Sequence, residues 1–322
     1  MQKILISEWV PAVCLEPYEG EFEFILPDQE KHAFSYDELL ELIVDCDGCL
    51  ILDNDGDKKL MDTAGQLKVI ANFGVGYDNI DWKYATEIGL PVVNTPTQVT
   101  EATAEHTIAM IISAMRSVAQ YDREVRKGIW ISPNFDDRNT QVEGATLGIL
   151  GFGRIGKRVC SKAQGLGMNV IYYDKFRAAP EVEAEMGVTY MEMDEVMKNA
   201  DCISVHVPYL PENDKMFNAE AFRMMKPGAY FVNCARGKLV DEQALADALK
   251  AGVIKGAALD VFANEPVVNP DLLTLDNVTL TPHIASLTMK ARLGMCAEAL
   301  AGITGVLKGE RPRNVVNPQV FN

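Results

Sequence analysis

A glycine-rich turn, GFGRIG at positions 151–156, lies between the apolar run TLGIL and a helical stretch, KRVCSKAQGLG. A strand, a tight glycine turn and a helix in this order begin a β-α-β unit, whose strands are parallel. Gly151 permits the tight turn, Gly153 lets backbone N–H groups approach a ligand, and Gly156 lets the helix pack on the strand. The turn therefore predicts an open parallel sheet with helices on its faces.

Short apolar runs alternate with helical stretches along the chain. In the first hundred residues the apolar runs are KILIS, DGCLILD, LKVIANF and LPVVN, and after residue 144 they are TLGILG, NVIYYD, CISVHVP, AYFVNCA, GAALDVF and NVTLTP. Such alternation is typical of parallel sheets joined by crossover helices. The sequence predicts the α/β class, with a doubly wound parallel sheet preceded by a smaller α/β unit.

Capping residues and apolar spacing predict the helices. Ser35 precedes YDELLELIVD, and Asp241 precedes EQALADALKAG, which Gly252 ends. A long helix is predicted from Thr100, a possible N-cap, to Lys127, with Gly128 as its stop. Its Ala- and Ile-rich middle is too apolar for a solvated surface, so we expect this helix to be buried between domains or subunits. The tail from about Met289 to Val306 is predicted to be helical again.

Composition and charge exclude several classes of protein. The 322 residues suggest two domains, and the 48% hydrophobic and 24% charged fractions are those of a soluble globular protein. No apolar run approaches the roughly 18 to 20 residues that cross a bilayer, and Glu8 interrupts the N-terminal run. We expect no membrane span, no secretory signal and a cytoplasmic location. A net charge of −16 without a basic cluster argues against nucleic acid as a partner.

The cysteine pattern favours neither a disulfide framework nor a metal site. Seven cysteines are an odd number spread over a long chain, which is typical of a reducing compartment. Cys46 and Cys49 form a CxxC pair, but a structural zinc site needs a second such pair or nearby histidines. We expect no bound metal. Incidental spacing is the favoured interpretation of this pair, and a redox role is the alternative.

The glycine turn is followed by the acidic residue that a dinucleotide site requires. Asp174 ends the next apolar run, at the spacing of about 20 residues that the dinucleotide-binding fingerprint shows. Its carboxylate would accept hydrogen bonds from the adenosine ribose and repel a 2′-phosphate, so NAD is predicted over NADP. Lys175 and Arg177 follow and would soften that preference. A glycine turn without a ligand is the weaker alternative.

Three later apolar runs are followed by side chains of types that bind anions or transfer protons. AYFVNCA leads to Arg236, GAALDVF to Glu265 and NVTLTP to His283. The carboxyl ends of parallel strands share one edge of a sheet, so these residues are expected to converge. A guanidinium can anchor the carboxylate of a 2-oxo acid, a histidine can exchange a proton with its carbonyl oxygen, and a carboxylate can stabilise the imidazolium. The pattern predicts an enzyme that reduces a small 2-oxo acid with NADH.

Six segments, in order, resemble the D-isomer-specific 2-hydroxyacid dehydrogenases. They are NFGVGYDNID (72–81), NTPTQVTEATAEHTIA (94–109), GATLGILGFGRIGKRV (144–159), VNCARGKLVDEQAL (232–245), ALDVFANEP (258–266) and TPHIAS (281–286). The catalytic Arg, Glu and His of that family match Arg236, Glu265 and His283. The resemblance implies a Rossmann dinucleotide-binding domain, residues 99–289, and a smaller, flavodoxin-like substrate-binding domain, residues 1–98 with 290–322.

The same resemblance implies further contacts. The backbone N–H groups of Val75 and Gly76 would bind the substrate carboxylate together with Arg236. The implied cofactor contacts, beyond the three glycines, are Thr103, Arg154, Ile155, Asp174, Val207, Pro208, Cys234, Ala235 and Asp260. Family members are commonly dimers, which implies a homodimer through the predicted helix 100–127.

The resemblance leaves the substrate and one other function open. The segments GVGYDNID and NTPTQVTEATAEHT look most like glyoxylate, hydroxypyruvate and 2-ketogluconate reductases. An NAD-sensing binding protein is the alternative, because the family also contains corepressors on the same fold. Ala285 stands where the family often has Gly, which affects expected contacts near the nicotinamide. His106 and His206 are expected to have structural roles, and His32 is expected to be solvated.

Overall fold

The computed structural model describes residues 1–52, 54–130 and 137–321. The chain divides into two compact units: unit 1 is Met1–Val99 with Leu287–Asn322, and unit 2 is Thr100–Ser286. Both are built from parallel strands and helices, which confirms the predicted α/β class. The limits expected from the sequence, 1–98 with 290–322 and 99–289, differ from these limits by at most three residues.

Unit 1 contains one parallel sheet. Its strands are β1 (Gln2–Ile6), β2 (Phe22–Ile25), β3 (Gly48–Ile51), β4 (Val69–Asn72) and β5 (Val92–Val93), and their order is β2-β1-β3-β4-β5. Four of the five follow the predicted apolar runs. The edge strand β2 is missing from the prediction because a half-exposed strand needs no continuous apolar run.

Helices cover both faces of this sheet. They are α1 (Tyr36–Leu42), α2 (Lys58–Thr63), α3 (Trp82–Glu87) and, near the C-terminus, α12 (Met289–Leu307). Successive strand residues point to opposite faces, so Ile4 packs with Leu300 and Ile303 of α12, while Leu5 packs with Leu39 of α1. Every one of these side chains is fully buried. The predicted tail helix is therefore part of the core of unit 1.

Unit 2 contains a larger parallel sheet, and its strands carry the predicted chemistry at their carboxyl ends. They are β6 (Thr146–Leu150), β7 (Asn169–Tyr173), β8 (Thr189–Tyr190), β9 (Cys202–Val205), β10 (Tyr230–Asn233), β11 (Gly256–Leu259) and β12 (Val278–Leu280). Their order is β12-β11-β10-β9-β6-β7-β8. The six predicted strands are confirmed. The short edge strand β8 is again the one that the apolar runs miss.

The helices of unit 2 pack on both faces of this sheet. They are α4 (Thr100–Met115), α5 (Val118–Arg126), α6 (Arg154–Gly165), α7 (Pro180–Met186), α8 (Met193–Asn199), α9 (Ala219–Met224), α10 (Glu242–Lys250) and α11 (Pro270–Leu273). Asp241 caps α10 as predicted, because its side chain accepts the N–H of Ala244. Along the described part of the chain, each helix is too short or too polar to span a lipid bilayer.

The predicted single helix 100–127 is wrong, because the helix breaks between α4 and α5. Ser117 adopts a left-handed conformation, with φ 49° and ψ 32°. Residues 138–140 form hydrogen bonds with the backbone and side chain at this break. Thr140 donates its N–H to the carbonyl of Met115 at 2.8 Å, and Ser117 Oγ donates to the carbonyl of Arg138 at 3.3 Å. A dimer built on this segment would use two helices.

Cys46 and Cys49 are fully buried next to the start of β3. The thiol of Cys46 donates to the carbonyl of Leu42 at 3.1 Å. Burial raises the pKa of Cys46 to about 11, and burial also raises the pKa of Cys49. Reactive cysteines need exposure and a lowered pKa. Packing is therefore the role that the structure favours for this pair over redox chemistry.

Candidate active site

The three predicted catalytic side chains follow three neighbouring strands of unit 2. Arg236 follows β10, Glu265 follows β11 and His283 follows β12. Gly237 brings the first two loops together, because a Cβ at this position would lie 1.9 Å from the carbonyl carbon of Phe262. Only glycine permits this approach of one backbone to another. The three loops therefore meet at one edge of the sheet.

His283 and Glu265 are hydrogen-bonded and form an ion pair when the ring of His283 is protonated. His283 Nδ1 and Glu265 Oε2 lie 2.8 Å apart, and Glu265 Oε1 accepts the N–H of Phe262 at 2.8 Å. The hydrogen bond with Glu265 raises the pKa of His283 above its ordinary value, although burial and the charge of Arg236 oppose this. Burial favours the neutral form of Glu265, but the bonds from His283 and Phe262 outweigh it and lower the pKa of Glu265. Because Nδ1 faces Glu265, Nε2 is the ring nitrogen that can face a substrate.

The turn after β10 positions Arg236. The fully buried Asn233 donates from Nδ2 to the carbonyl of Arg236 at 2.9 Å and accepts the N–H of Ala235 at 2.9 Å. The charge of Arg236 lowers the pKa of Glu265 and opposes protonation of His283, so the three groups act on one another electrostatically. The sequence analysis missed Asn233, whose only signal is its place at the end of an apolar strand.

A buried carboxylate holds the loop that carries His283. Asp260 Oδ1 accepts the hydroxyl of Thr281 at 2.6 Å and the N–H of Ile284 at 2.9 Å, and Oδ2 accepts the N–H of Ala285 at 2.8 Å. The backbone carbonyl of Asp260 accepts the N–H of His283 at 2.8 Å. Within this loop His283 has φ 53°, a left-handed conformation that costs a non-glycine residue of the order of 1 to 3 kcal/mol.

The sequence analysis predicted Asp260 as a cofactor contact, and in the structure its carboxylate binds the protein's own donors. Asp260 has no exposed surface, and its carboxylate is occupied by donors from the protein itself. Burial favours its neutral form, but the hydrogen bonds from His106, Thr281 and two backbone N–H groups outweigh burial and lower its pKa. The buried Ala285 lies outside the left-handed region, so the loop accommodates its methyl group.

The glycine-rich turn has two positions that the fold requires and one that faces open space. Gly151 has φ 97°, and a Cβ there would lie 2.6 Å from the backbone of His206. A Cβ on Gly156 would lie 2.2 Å from the carbonyl oxygen of Gly151. Gly153, at the N-terminus of α6, has no atom within 4 Å of the position of a Cβ. This open space before a helix N-terminus fits the pyrophosphate of a dinucleotide.

Asp174 supports the same turn from the end of β7. Its carboxylate accepts the N–H of Phe152 at 2.6 Å and the N–H of Phe176 at 2.8 Å. A carboxylate has further acceptor positions, which leaves Asp174 able to bind ribose hydroxyls. Arg177 donates to Glu183 through Nε and Nη2, each at 2.8 Å, and lies over the ring of Tyr190. Arg177 is thus held by a carboxylate of its own segment.

Most of the other predicted cofactor contacts follow strands of unit 2 at the same edge of the sheet. Thr103 is buried on α4, and Cys234 is buried after β10, where burial raises the pKa of its thiol to about 12. The remaining positions follow strand ends or open α6 and are partly or fully exposed: Arg154, Ile155, Val207, Pro208 and Ala235. His206 lies beside Val207, with Nε2 2.9 Å from Ser204 Oγ, and burial lowers its pKa to about 4. His206 is therefore neutral, in line with a structural role.

In unit 1, Val75 and Gly76 lie in the loop after β4. Thr95 donates its N–H to the carbonyl of Gly74 at 2.9 Å, and Asn94 Nδ2 donates to the carbonyl of Val75 at 2.7 Å. The N–H of a trans peptide points away from its own C=O. The N–H groups of Val75 and Gly76 therefore point away from these two donors, which is the orientation that an anion-binding loop needs.

Known proteins resemble the chain over nearly its full length. The family model described as "D-isomer specific 2-hydroxyacid dehydrogenase, NAD binding domain" matches residues 108–285. A glyoxylate reductase of Pyrococcus furiosus is 39% identical over 99% of this chain and 96% of that protein. Among solved structures, the TT0316 protein of Thermus thermophilus has a TM-score of 0.89 and 34% identity, covering 98% of this chain and 100% of that one. A D-lactate dehydrogenase of Aquifex aeolicus, complexed with NAD and lactic acid, has a TM-score of 0.83 and 30% identity, covering 98% and 99%.

We expect Gly153→Ala to weaken NADH binding about tenfold or more, because its methyl group would enter the space where the backbone must approach the pyrophosphate. Gly165→Ala is the matched control: Gly165 ends the same helix, and its Cβ also meets no atom within 4 Å. Titration of protein fluorescence with NADH gives both dissociation constants. Equal affinity in the two variants would contradict the assignment of the site.

We expect Asp260→Asn to lower the free energy of unfolding by about 2 to 4 kcal/mol, because an amide cannot accept all the donors that surround this buried carboxylate. Asp276→Asn is the control, since its side chain is 69% exposed and its change is expected to stay below about 0.5 kcal/mol. Urea denaturation measures both. An Asp260→Asn variant as stable as Asp276→Asn would refute the anchoring role.

Proposed function

The chain belongs to the D-isomer specific 2-hydroxyacid dehydrogenase family, and we propose that it reduces a small 2-oxo acid of the glyoxylate class with NADH to the D-2-hydroxy acid. At the coarser level, the chain is an NAD(P)-dependent oxidoreductase that acts on a CH–OH group. The reduction of a 2-oxo acid is proposed because His283 Nδ1 and Glu265 Oε2 lie 2.8 Å apart, and because the charge of Arg236 acts on the pKa of His283.

His283 is the proposed acid. Its pKa is raised by the bond with Glu265, so the imidazolium persists to higher pH than that of a free histidine. In reduction, Nε2 gives its proton to the carbonyl oxygen of the substrate, and Glu265 stabilises the charge on the ring. In the reverse direction the neutral ring accepts the hydroxyl proton. The half-exposed side chain of His283 then exchanges this proton with solvent.

Arg236 is the proposed anchor of the substrate. A guanidinium binds a carboxylate through two parallel N–H donors and also polarises an adjacent carbonyl. The carbonyls held by Thr95 and Asn94 support the proposal that the N–H groups of Val75 and Gly76 also bind the substrate carboxylate. The substrate is therefore proposed to be recognised as an anion.

Residues of unit 2 would hold the dinucleotide. Gly153 and the N-terminus of α6 would hold the pyrophosphate, and Asp174 would hold the adenosine ribose. Arg154, Ile155, Val207, Pro208, Thr103, Cys234 and Ala235 complete the proposed contacts. When bound, NADH supplies the hydride that reaches the carbonyl carbon.

NADH is proposed over NADPH. The carboxylate of Asp174 would repel a 2′-phosphate, and both bonds of the Arg177 fork go to Glu183. Lys175 remains as the cation that would favour NADPH. Asp174 lies at the end of β7 where the ribose would bind, whereas Lys175 is exposed, so repulsion of the 2′-phosphate by Asp174 supports a preference for NADH.

The names of similar proteins support the substrate class. The Pyrococcus furiosus relative is named a glyoxylate reductase, and the Aquifex aeolicus neighbour is a D-lactate dehydrogenase. These names favour an enzyme over an NAD-sensing binding protein and support the D configuration of the product. Hydroxypyruvate and 2-ketogluconate are the other candidates that the sequence suggests.

Purified protein is expected to oxidise NADH with glyoxylate or hydroxypyruvate faster than with pyruvate or with branched or aromatic 2-oxo acids, and faster than it oxidises NADPH.

His283→Gln should lower kcat by a factor of about 10² to 10⁴, since it removes the acid, and should leave NADH affinity nearly unchanged. His32→Asn, which alters an exposed histidine, is the control. Turnover with no member of this panel, or a His283→Gln variant with normal kcat, would sink the proposal.

Glu265→Gln is expected to move the alkaline limb of the pH profile of reduction to lower pH. The bond with Glu265 raises the pKa of His283, so reduction should persist below that raised pKa and fall as pH rises through it. Without the negative charge the imidazolium loses its proton at lower pH. Glu242→Gln is the control, because Glu242 accepts the N–H of Ala263 in the neighbouring turn. Superimposable kcat/KM profiles for wild type and Glu265→Gln would contradict the pairing.

A further inference from the structure

We propose that His106 is a positioning residue for His283, acting through Thr281 and Asp260. The inference rests on the proposed function, in which His283 transfers the proton. His106 lies on α4, and its side chain is 18% exposed. The sequence analysis expected a structural role for His106, and the structure supplies its polar partners, Thr281 and Asp260.

The donors and acceptors around His106 form a directed chain. His106 Nε2 lies 3.1 Å from Thr281 Oγ1 and 3.3 Å from Asp260 Oδ1. Thr281 has one hydroxyl hydrogen, and its 2.6 Å bond to the ionised Asp260 uses it. The hydroxyl oxygen must therefore accept from His106, which requires the tautomer that carries its proton on Nε2. The direction of donation is His106 to Thr281 to Asp260.

This chain ends on the loop that carries His283. Thr281 is two residues before His283, and Asp260 also binds the N–H groups of Ile284 and Ala285 and, through its carbonyl, the N–H of His283. Removal of the His106 donor leaves the hydroxyl oxygen of Thr281 without that donor, and it removes the polar N–H that lies 3.3 Å from the buried Asp260 carboxylate. The loop can recover those bonds only by moving, and movement changes where the ring of His283 points.

The effect should fall on the proton-transfer step and not on binding. His106 bonds to the residues that follow β11 and β12, whereas Arg236 follows β10 and the glycine-rich turn follows β6. A displaced His283 loop therefore leaves the proposed substrate anchor and the phosphate-binding turn in place. The expected signature is a lower kcat with KM and NADH affinity maintained.

The test compares His106→Leu with His106→Gln and His106→Asn. Leu has no donor, Gln places an amide N–H near the position of Nε2, and Asn places it too far back to reach Thr281. Ser113→Ala is the matched control, because Ser113 on the same helix contacts Thr279 at 2.9 Å, two residues before Thr281, and does not bond to the loop. We expect kcat to fall about tenfold to a hundredfold in His106→Leu and His106→Asn. We expect His106→Gln and Ser113→Ala to stay within about threefold of wild type.

Hydrogen exchange of the Ile284 and Ala285 amides separates this inference from the proposed function. Both amides bond to Asp260, so both should exchange faster in His106→Leu and His106→Asn than in wild type or Ser113→Ala, with or without turnover. Absence of turnover in the wild type would remove the proposed function, and the exchange rates would still decide the positioning. Unchanged exchange in His106→Leu and His106→Asn, or a normal kcat in both, would overturn the inference. An equal loss of kcat in Ser113→Ala would overturn it as well.

Discussion

The buried carboxylate of Asp260 is the interaction on which the site depends. A carboxylate removed from water costs several kcal/mol unless donors surround it. Here the Thr281 hydroxyl and the N–H groups of Ile284 and Ala285 supply those donors, and all three belong to one short loop. The loop satisfies the charge in a conformation that places His283 at φ 53°. The strain at His283 persists because its release would leave the carboxylate without partners.

The loop that carries His283 lies between two carboxylates with different tasks. Asp260 is fully buried, and it fixes where the backbone lies; Glu265 has a side chain 36% exposed, and it fixes the protonation of the ring. Each task has its own physical cause, since burial makes unpaired donors and acceptors costly while a nearby charge shifts a pKa. Loss of the Asp260 charge therefore acts mainly on folding. Loss of the Glu265 charge acts mainly on the pH at which the ring is protonated.

Sequence patterns predicted the elements whose residues are buried on both faces of a sheet. Continuous apolar runs identified the buried strands, while the edge strands β2 and β8 need no such run. The break at Ser117 was missed because its cause is a set of bonds from residues 138–140, which are distant in sequence. The convergence of Arg236, Glu265 and His283 was predictable because all three follow strands of one parallel sheet, whose carboxyl ends share one edge. The position of Asp260 was found from the family motif, but its burial follows from packing that no local pattern encodes.

The most direct test of the pairing between His283 and Glu265 is an NMR titration of the His283 ring in protein labelled with ¹⁵N-histidine, with the signal assigned by its loss in His283→Gln. The pairing with Glu265 predicts a midpoint above the value of about 6.5 for a free histidine, with the proton on Nδ1 retained after the other is lost. A midpoint at or below the free value would contradict it, because His283 would then lack the partner that makes it an acid near neutral pH.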